Sequence, residues 1–109
     1  MKYRAVKTVI DGYKFDSKLE AKRYQELNML FQRGLITELS LQPRFELQPK
    51  FEKFGVKYRK IEYVADFMYR DAYLETVIED SKGFKTPMYQ LKKKLFEYTY
   101  PKLTISEVN

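Results

Sequence analysis

The sequence predicts a single α+β domain over residues 1–109, an α/β sandwich in which one mixed sheet is flanked by helices. Three observations predict it. Two segments carry apolar residues at helical spacing behind capping signals, and several others alternate in the manner of strands. The elements follow one another as α-β-β-β-α-β after a short N-terminal β-hairpin. The chain has 109 residues, 44% of them hydrophobic and 17% aromatic, which suits one folded domain with one core rather than a disordered chain.

The elements can be justified in order. "KTVIDGYKF" reads as the hairpin, because Asp11-Gly12 is a type I′ turn signal between Val9-Ile10 and Tyr13. A helix follows over about 17–33. Ser17-Lys18-Leu19-Glu20 fits a capping box and Gly34 supplies the left-handed stop. Glu20, Tyr24, Leu27 and Phe31 share its stripe, with Leu30 beside it. Residues 35–50 read as one extended stretch. Leu39, Leu41, Phe45 and Leu47 alternate with polar residues, and Pro43 and Pro49 argue for an edge or bent strand. "KFGVKYRK" reads as a basic loop or turn around Gly55. A central hairpin is expected over about 61–69 and 75–82, with Tyr63, Ala65, Phe67 and Tyr69 on one side of its first strand and Val64 and Met68 flanking Asp66 on the other. A second helix spans about 87–99, with Thr86 as N-cap, Pro87 at its first position and Met88, Leu91, Leu95 and Tyr98 as its apolar stripe. "LTISEV" reads as a last strand.

Composition narrows the chemistry. The chain has no Cys and no His, which excludes disulfides, zinc fingers, cysteine nucleophiles and Ser-His-Asp catalysis. A metal would have to be held by oxygen, as Mg²⁺, Mn²⁺ and Ca²⁺ are. No apolar run approaches the roughly 20 residues of a membrane span, and Met-Lys-Tyr-Arg-Ala lacks the apolar core of a signal peptide. The expectation is a cytoplasmic protein with no membrane partner. The formal charge is +6, which suits a polyanionic partner as well as simple solubility. The basic excess is uneven, with three clusters: Lys2, Arg4 and Lys7; Lys57, Arg59 and Lys60; and Lys82, Lys85, Lys92, Lys93, Lys94 and Lys102.

The most informative residues are Asp66, in "YVADF", and Asp80 and Lys82, in "IEDSK". A hairpin centred near residue 73 sets Asp66 opposite Asp80. Directly opposed residues have Cβ atoms about 5 Å apart, and like charges there destabilise. Lys82, two residues on, points to the same face. A divalent cation would make the arrangement stable and useful. An Asp66–Lys82 ion pair is the structural alternative, but it leaves Asp80 without its counterpart. Glu79 points to the other face and reads as a structural or supporting acid. Glu20 either closes its capping box or, from its place on the sheet-facing stripe, contributes to the metal. Two carboxylates and a lysine suit phosphodiester hydrolysis. The acids hold one or two Mg²⁺ (or Mn²⁺) ions that activate water, and the lysine stabilises transition-state charge.

At these residues the chain resembles the PD-(D/E)xK nuclease superfamily. Asp66 matches the first acid and Asp80-Ser81-Lys82 the (D/E)-x-K element. Glu20 is similar to the acid that many members place on the first core helix. Ala65 stands where the motif name has proline, and Asp80 where Glu is more usual. Across nearly its whole length the chain also resembles a family of small phage and prophage proteins of uncharacterised function. "FDSKLEAKRYQEL", "LQPRFEL", "YVADF", "IEDSKG" and "QLKKKLFEY" carry that likeness. The resemblance implies a restriction-endonuclease-like core and a Mg²⁺-dependent endonuclease acting on DNA, with a site related to those of Holliday-junction resolvases and transposon-end nicking enzymes. Glu20, Asp66, Asp80 and Lys82 would be catalytic, the three acids holding the metal.

Lys57, Arg59, Lys85, Lys92 and Lys93 are the candidate phosphate contacts. With no sequence-reading module visible, recognition of branched DNA or ends by a homodimer is expected, with Val9, Ile10 and Tyr13 as its surface unless that hairpin simply extends the sheet. Two other readings stand beside this one. One is a nucleic-acid-binding protein on the same fold whose chemistry is lost or auxiliary. The other is a structural phage interaction protein.

Overall fold

Asp11 and Gly12 adopt φ of 52° and 82°, as a type I′ turn requires, and they join β1 (Thr8–Ile10) to β2 (Tyr13–Phe15). This is a computed structural model that describes residues 7–81 and 85–108. The hairpin does not extend the main sheet. It forms a separate two-stranded sheet and lies against the first helix. It buries Phe15 beside Tyr24, and the Tyr24 hydroxyl donates to Asp11 at 2.9 Å.

Helix α1 (Lys18–Gln32) starts where expected, with Ser17 Oγ accepting the Glu20 amide at 3.1 Å. Glu20, Ala21, Tyr24 and Leu27 are buried. Phe31, expected on the same stripe, is exposed at the end of the helix, and Leu30 packs on the core instead.

Two long segments expected to be continuous strands are each broken once. Residues 35–50 become β3 (Thr37–Leu41) and β4 (Arg44–Gln48). The expected 61–69 strand becomes β7 (Ile61–Val64) and β8 (Phe67–Arg70). The breaks, at Gln42-Pro43 and Ala65-Asp66, lie opposite one another. The Gln42 amide donates to the Asp66 carbonyl at 2.8 Å and the Ala65 amide to that of Pro43 at 3.1 Å. Proline has no N–H to continue the ladder, and Gln42 has φ of 52°, so the ribbon bends there. Beyond the bend, β4 pairs with β7 and the ribbon ends in the hairpin of β5 (Phe51–Lys53) and β6 (Val56–Tyr58). The expected loop at "KFGVKYRK" is therefore a strand pair turning at Phe54-Gly55.

The central hairpin keeps the expected register. β8 and β9 (Thr76–Ser81) pair antiparallel with Phe67 opposite Glu79 and Arg70 opposite Thr76. Asp71 closes its turn, with Oδ1 accepting the amides of Tyr73 and Glu75 at 2.9 and 3.0 Å. Helix α2 (Pro87–Thr99), capped by Thr86, crosses over to β10 (Ile105–Val108), which runs parallel to β9. The central sheet has the order β10-β9-β8-β3, so α1, β3, β8, β9, α2 and β10 realise the α-β-β-β-α-β order. The fold is α+β, with the bent ribbon inserted between β3 and β8.

Each helix closes one cluster of core residues. On the α1 side lie Phe15, Tyr24, Leu27, Phe67 and Tyr69. On the α2 side lie Tyr63, Ala65, Ile78, Phe96 and Ile105. Tyr63, Ala65, Phe67 and Tyr69 are all buried, but in two clusters rather than along one face, because the chain changes face at Asp66. Helix α2 also turns a different side inward than expected. Tyr89 and Phe96 are buried while Met88, Leu91 and Tyr98 are exposed. Phe96 meets Phe45 edge-on at 5.1 Å and lies 5.4 Å from Tyr63. Packing among aromatic rings decides the orientation.

Candidate functional site

Asp66 sits in the break between β7 and β8, pinned from several directions. Its amide donates to the Glu79 carbonyl at 3.1 Å, and its own carbonyl accepts the Gln42 amide. Its Oδ2 accepts the Ser81 amide at 2.6 Å. These bonds lay Asp66 alongside Glu79-Asp80-Ser81, and the β8–β9 register continued by one residue sets it opposite Asp80. A carboxylate held by a main-chain amide keeps its orientation while retaining its charge.

Asp80 is fully buried. Its Oδ2 accepts a short hydrogen bond from the Tyr63 hydroxyl. Burial, and then the bond to Asp80, raise the Tyr63 hydroxyl pKa well above the usual phenol value, with Asp66 adding to the effect. Tyr63 therefore stays protonated and remains a donor. Tyr89 is raised by burial and by its bond to Glu107, and also by Asp80 and Asp66. Both carboxylates thus act on the same pair of phenols.

Glu79, next in the chain, faces the other way. Arg23 of α1 grips it with two bonds of 2.7 Å, and Tyr69 donates to the same carboxylate. The charge is matched and the group is structural, as its strand parity implies. Glu20 is buried on the same helix. Among the described residues, no group of three acidic side chains is placed to hold a metal ion. Lys82 lies outside the described residues.

Sequence reasoning missed Tyr63, Tyr89 and Glu107. Glu107 pairs in register with Asp80 across the parallel β9–β10 ladder. It accepts the Tyr89 hydroxyl at 2.7 Å and forms ion pairs with Lys85 and Lys93 at 3.2 and 3.3 Å. The Tyr89 bond and then the two lysines, outweighing burial, lower its pKa to about 2. Lys85 and Lys93, expected to contact phosphate, are therefore engaged with Glu107. Lys92 is half-buried on α2, and Lys57 and Arg59 are exposed on the ribbon. One signal was available for Tyr63, since a phenol on a buried strand face needs a polar partner.

Fold and site together define an α+β domain whose central hairpin opposes two aspartates at a bend, backed by protonated tyrosines. The chain belongs to a family described as proteins of unknown function, DUF1064, whose model matches residues 1–108. Comparison with curated proteins and with solved structures gives no match. Among the described residues, no helix is long and apolar enough to cross a membrane.

Proposed function

We propose that this chain is a metal-dependent endodeoxyribonuclease of the PD-(D/E)xK type that hydrolyses DNA phosphodiester bonds, directed by the shape of the DNA. The observation that carries the reading is the opposition of Asp66 and Asp80 at the bend of the central hairpin. The donors present fit Mg²⁺ or Mn²⁺. They are all oxygen, and Mg²⁺ is commonly held by one or two carboxylates, with waters and substrate phosphate completing its shell. Once bound, such an ion would supply Lewis acidity and a water of lowered pKa. The protein's own part is positional. The Ser81 amide orients Asp66, and Tyr63 orients Asp80. Lys82, two residues past Asp80 in the sequence, is the cation assigned to stabilise charge on the phosphate.

A second reading, a nucleic-acid-binding protein without chemistry, draws support from the exposed Lys57 and Arg59 on the ribbon, which suit a phosphate backbone whether or not cleavage follows. One experiment separates the two. Supercoiled plasmid, linear duplex and a four-way junction are incubated with the wild type and with Asp66→Asn and Lys82→Ala, in Mg²⁺ or Mn²⁺. Cleavage by the wild type should fall by about 10²–10³ in Lys82→Ala, as for other donors aimed at transition-state charge. Asp66→Asn should in addition weaken Mn²⁺ binding in calorimetry. Binding of DNA with no cleavage by the wild type would leave only the second reading.

A further inference from the structure

The ribbon beyond the bend ends in a tip built unlike an ordinary turn. Phe54 and Gly55 make the two-residue link between β5 and β6, with φ of 51° and 79°. Such positions usually hold Asn, Asp or Gly, because other residues are strained at positive φ. Phe54 is 94% exposed, so the chain bears both backbone strain and a solvated aromatic ring there. Below the tip, Phe51 and Tyr58 stack at 4.7 Å with ring planes 10° apart, both partly exposed. Val56 shares that face by strand alternation and is also exposed. Lys53 holds its ammonium 5.6 Å from the Phe54 ring. Lys50, Lys57 and Arg59 flank the hairpin, with Glu52 as the acid among them, and Lys60 beside them pairs with Glu62 at 3.5 Å. Among the described residues, β5 and β6 pack extensively only on each other, while β4 and β7 at the base of the ribbon lie against α2. The radius of gyration is 15.8 Å, against about 13 Å for a compact domain of this length.

We propose that this arm recognises interruptions in duplex DNA, with the Phe54 ring stacking on a base face exposed at a branch point and the flanking cations gripping the neighbouring phosphates. This rests on the reading that the chain acts on DNA, and it names the feature of the DNA that is read. A flat apolar ring ringed by cations matches a polyanion with flat apolar faces, since every base offers a face for stacking. In an intact duplex those faces are covered and must be unstacked first. At a junction or nick they are already open, so the ring gains most there. The cations bind any phosphate backbone and supply affinity without sequence preference.

The test uses labelled four-way junction, nicked duplex and intact duplex DNA with the full chain. Phe54→Ala should weaken binding to the junction by roughly tenfold, in the range found for loss of one stacked base, and binding to intact duplex by less than about twofold on the same argument. Phe54→Trp keeps a flat ring and introduces the chain's only tryptophan. It should bind the junction like the wild type, with its indole emission quenched on binding. Equal junction binding by wild type and Phe54→Ala overturns the proposal, as does indole emission that responds to anionic phosphatidylserine vesicles or to self-association but not to DNA. Cleavage of the same junction, followed in parallel, keeps the two readings apart. Selective junction binding without cleavage supports the arm and sinks the nuclease. Junction cleavage accompanied by equal junction binding of wild type and Phe54→Ala does the reverse.

Discussion

Glu79 and Asp80 are consecutive acids, both buried, and their surroundings give them opposite roles. Glu79 meets a guanidinium in bidentate geometry and Asp80 meets a neutral phenol. Removing one partner of a buried ion pair strands the other, so Arg23→Ala should destabilise the fold by about 3–5 kcal/mol. Urea unfolding should show this as a lower midpoint. Because Arg23 acts on the α1 side, the Mn²⁺ affinity proposed for Asp66 and Asp80 should be little changed, and a destabilisation under about 1 kcal/mol would mean that the pair behaves as a surface contact. At this scale Asp66 and Asp80 were legible in the sequence because a local hairpin fixes their register by simple symmetry about residue 73. Tyr63 was read only as a core aromatic. Glu107 was invisible, because a parallel pairing across a helical crossover leaves no local mark on the register of its strands.

Among the elements, β10 is tied to α2 through Glu107, which takes the Tyr89 hydroxyl, Lys85 and Lys93 together. The Glu107 pKa in the folded chain is about 2, against an ordinary 4.5. A depressed carboxylate stabilises the fold above its unfolded pKa, and that contribution is lost as pH falls through the folded one. The Glu107 contribution is therefore complete above about pH 5 and disappears between about pH 4.5 and 2. Glu107→Gln should be less stable than wild type at pH 7, and the gap between the two should close across that window. A gap unchanged down to pH 2 would show that charge is irrelevant to the contact. The limits of both helices and the turns at Asp11-Gly12 and Asp71–Glu75 were readable, since caps and turns are local chemistry. The inward face of α2 was not. Met88-Leu91-Leu95-Tyr98 and Tyr89-Phe96 both have helical spacing, and only the partners Phe45 and Tyr63 on distant strands decide between them. The breaks at Gln42-Pro43 and Ala65-Asp66 were not legible, because Pro43 marks only an edge or bent strand in its own segment, whereas the paired break divides both.

Taken whole, the molecule carries a formal charge of +6, but its cations are not equivalent. Lys57 and Arg59 stand exposed on the arm, with Glu52 opposite Lys57 in register, while Lys85 and Lys93 are bound to Glu107. Affinity for duplex DNA should fall linearly with salt on logarithmic axes, with a slope of roughly −0.9 for each phosphate neutralised. Replacing both Lys57 and Arg59 by Ala should flatten the slope by nearly two units on that scale, and replacing both Lys85 and Lys93 by Ala should flatten it less. Anisotropy from about 50 to 200 mM salt measures both, and equal effects from the two replacements would mean that the Glu107 ion pairs open on binding.

The hairpin that opposes the two aspartates also has a consequence for chain entropy. Asp66 and Ser81 are 15 residues apart, whereas Arg23 and Glu79 are 56 apart. Closure entropy grows by only about 0.6 kcal/mol for each doubling of loop length, so the longer link costs roughly 1.2 kcal/mol more to close. The carboxylates of the candidate site are thus joined by one of the shorter tethers in the central sheet. Even so, a flexible tether of this length holds Asp66 and Asp80 on average roughly 20 Å apart in the unfolded chain, more than about two Debye lengths at physiological salt. Repulsion between them therefore arises almost wholly on closing the native hairpin.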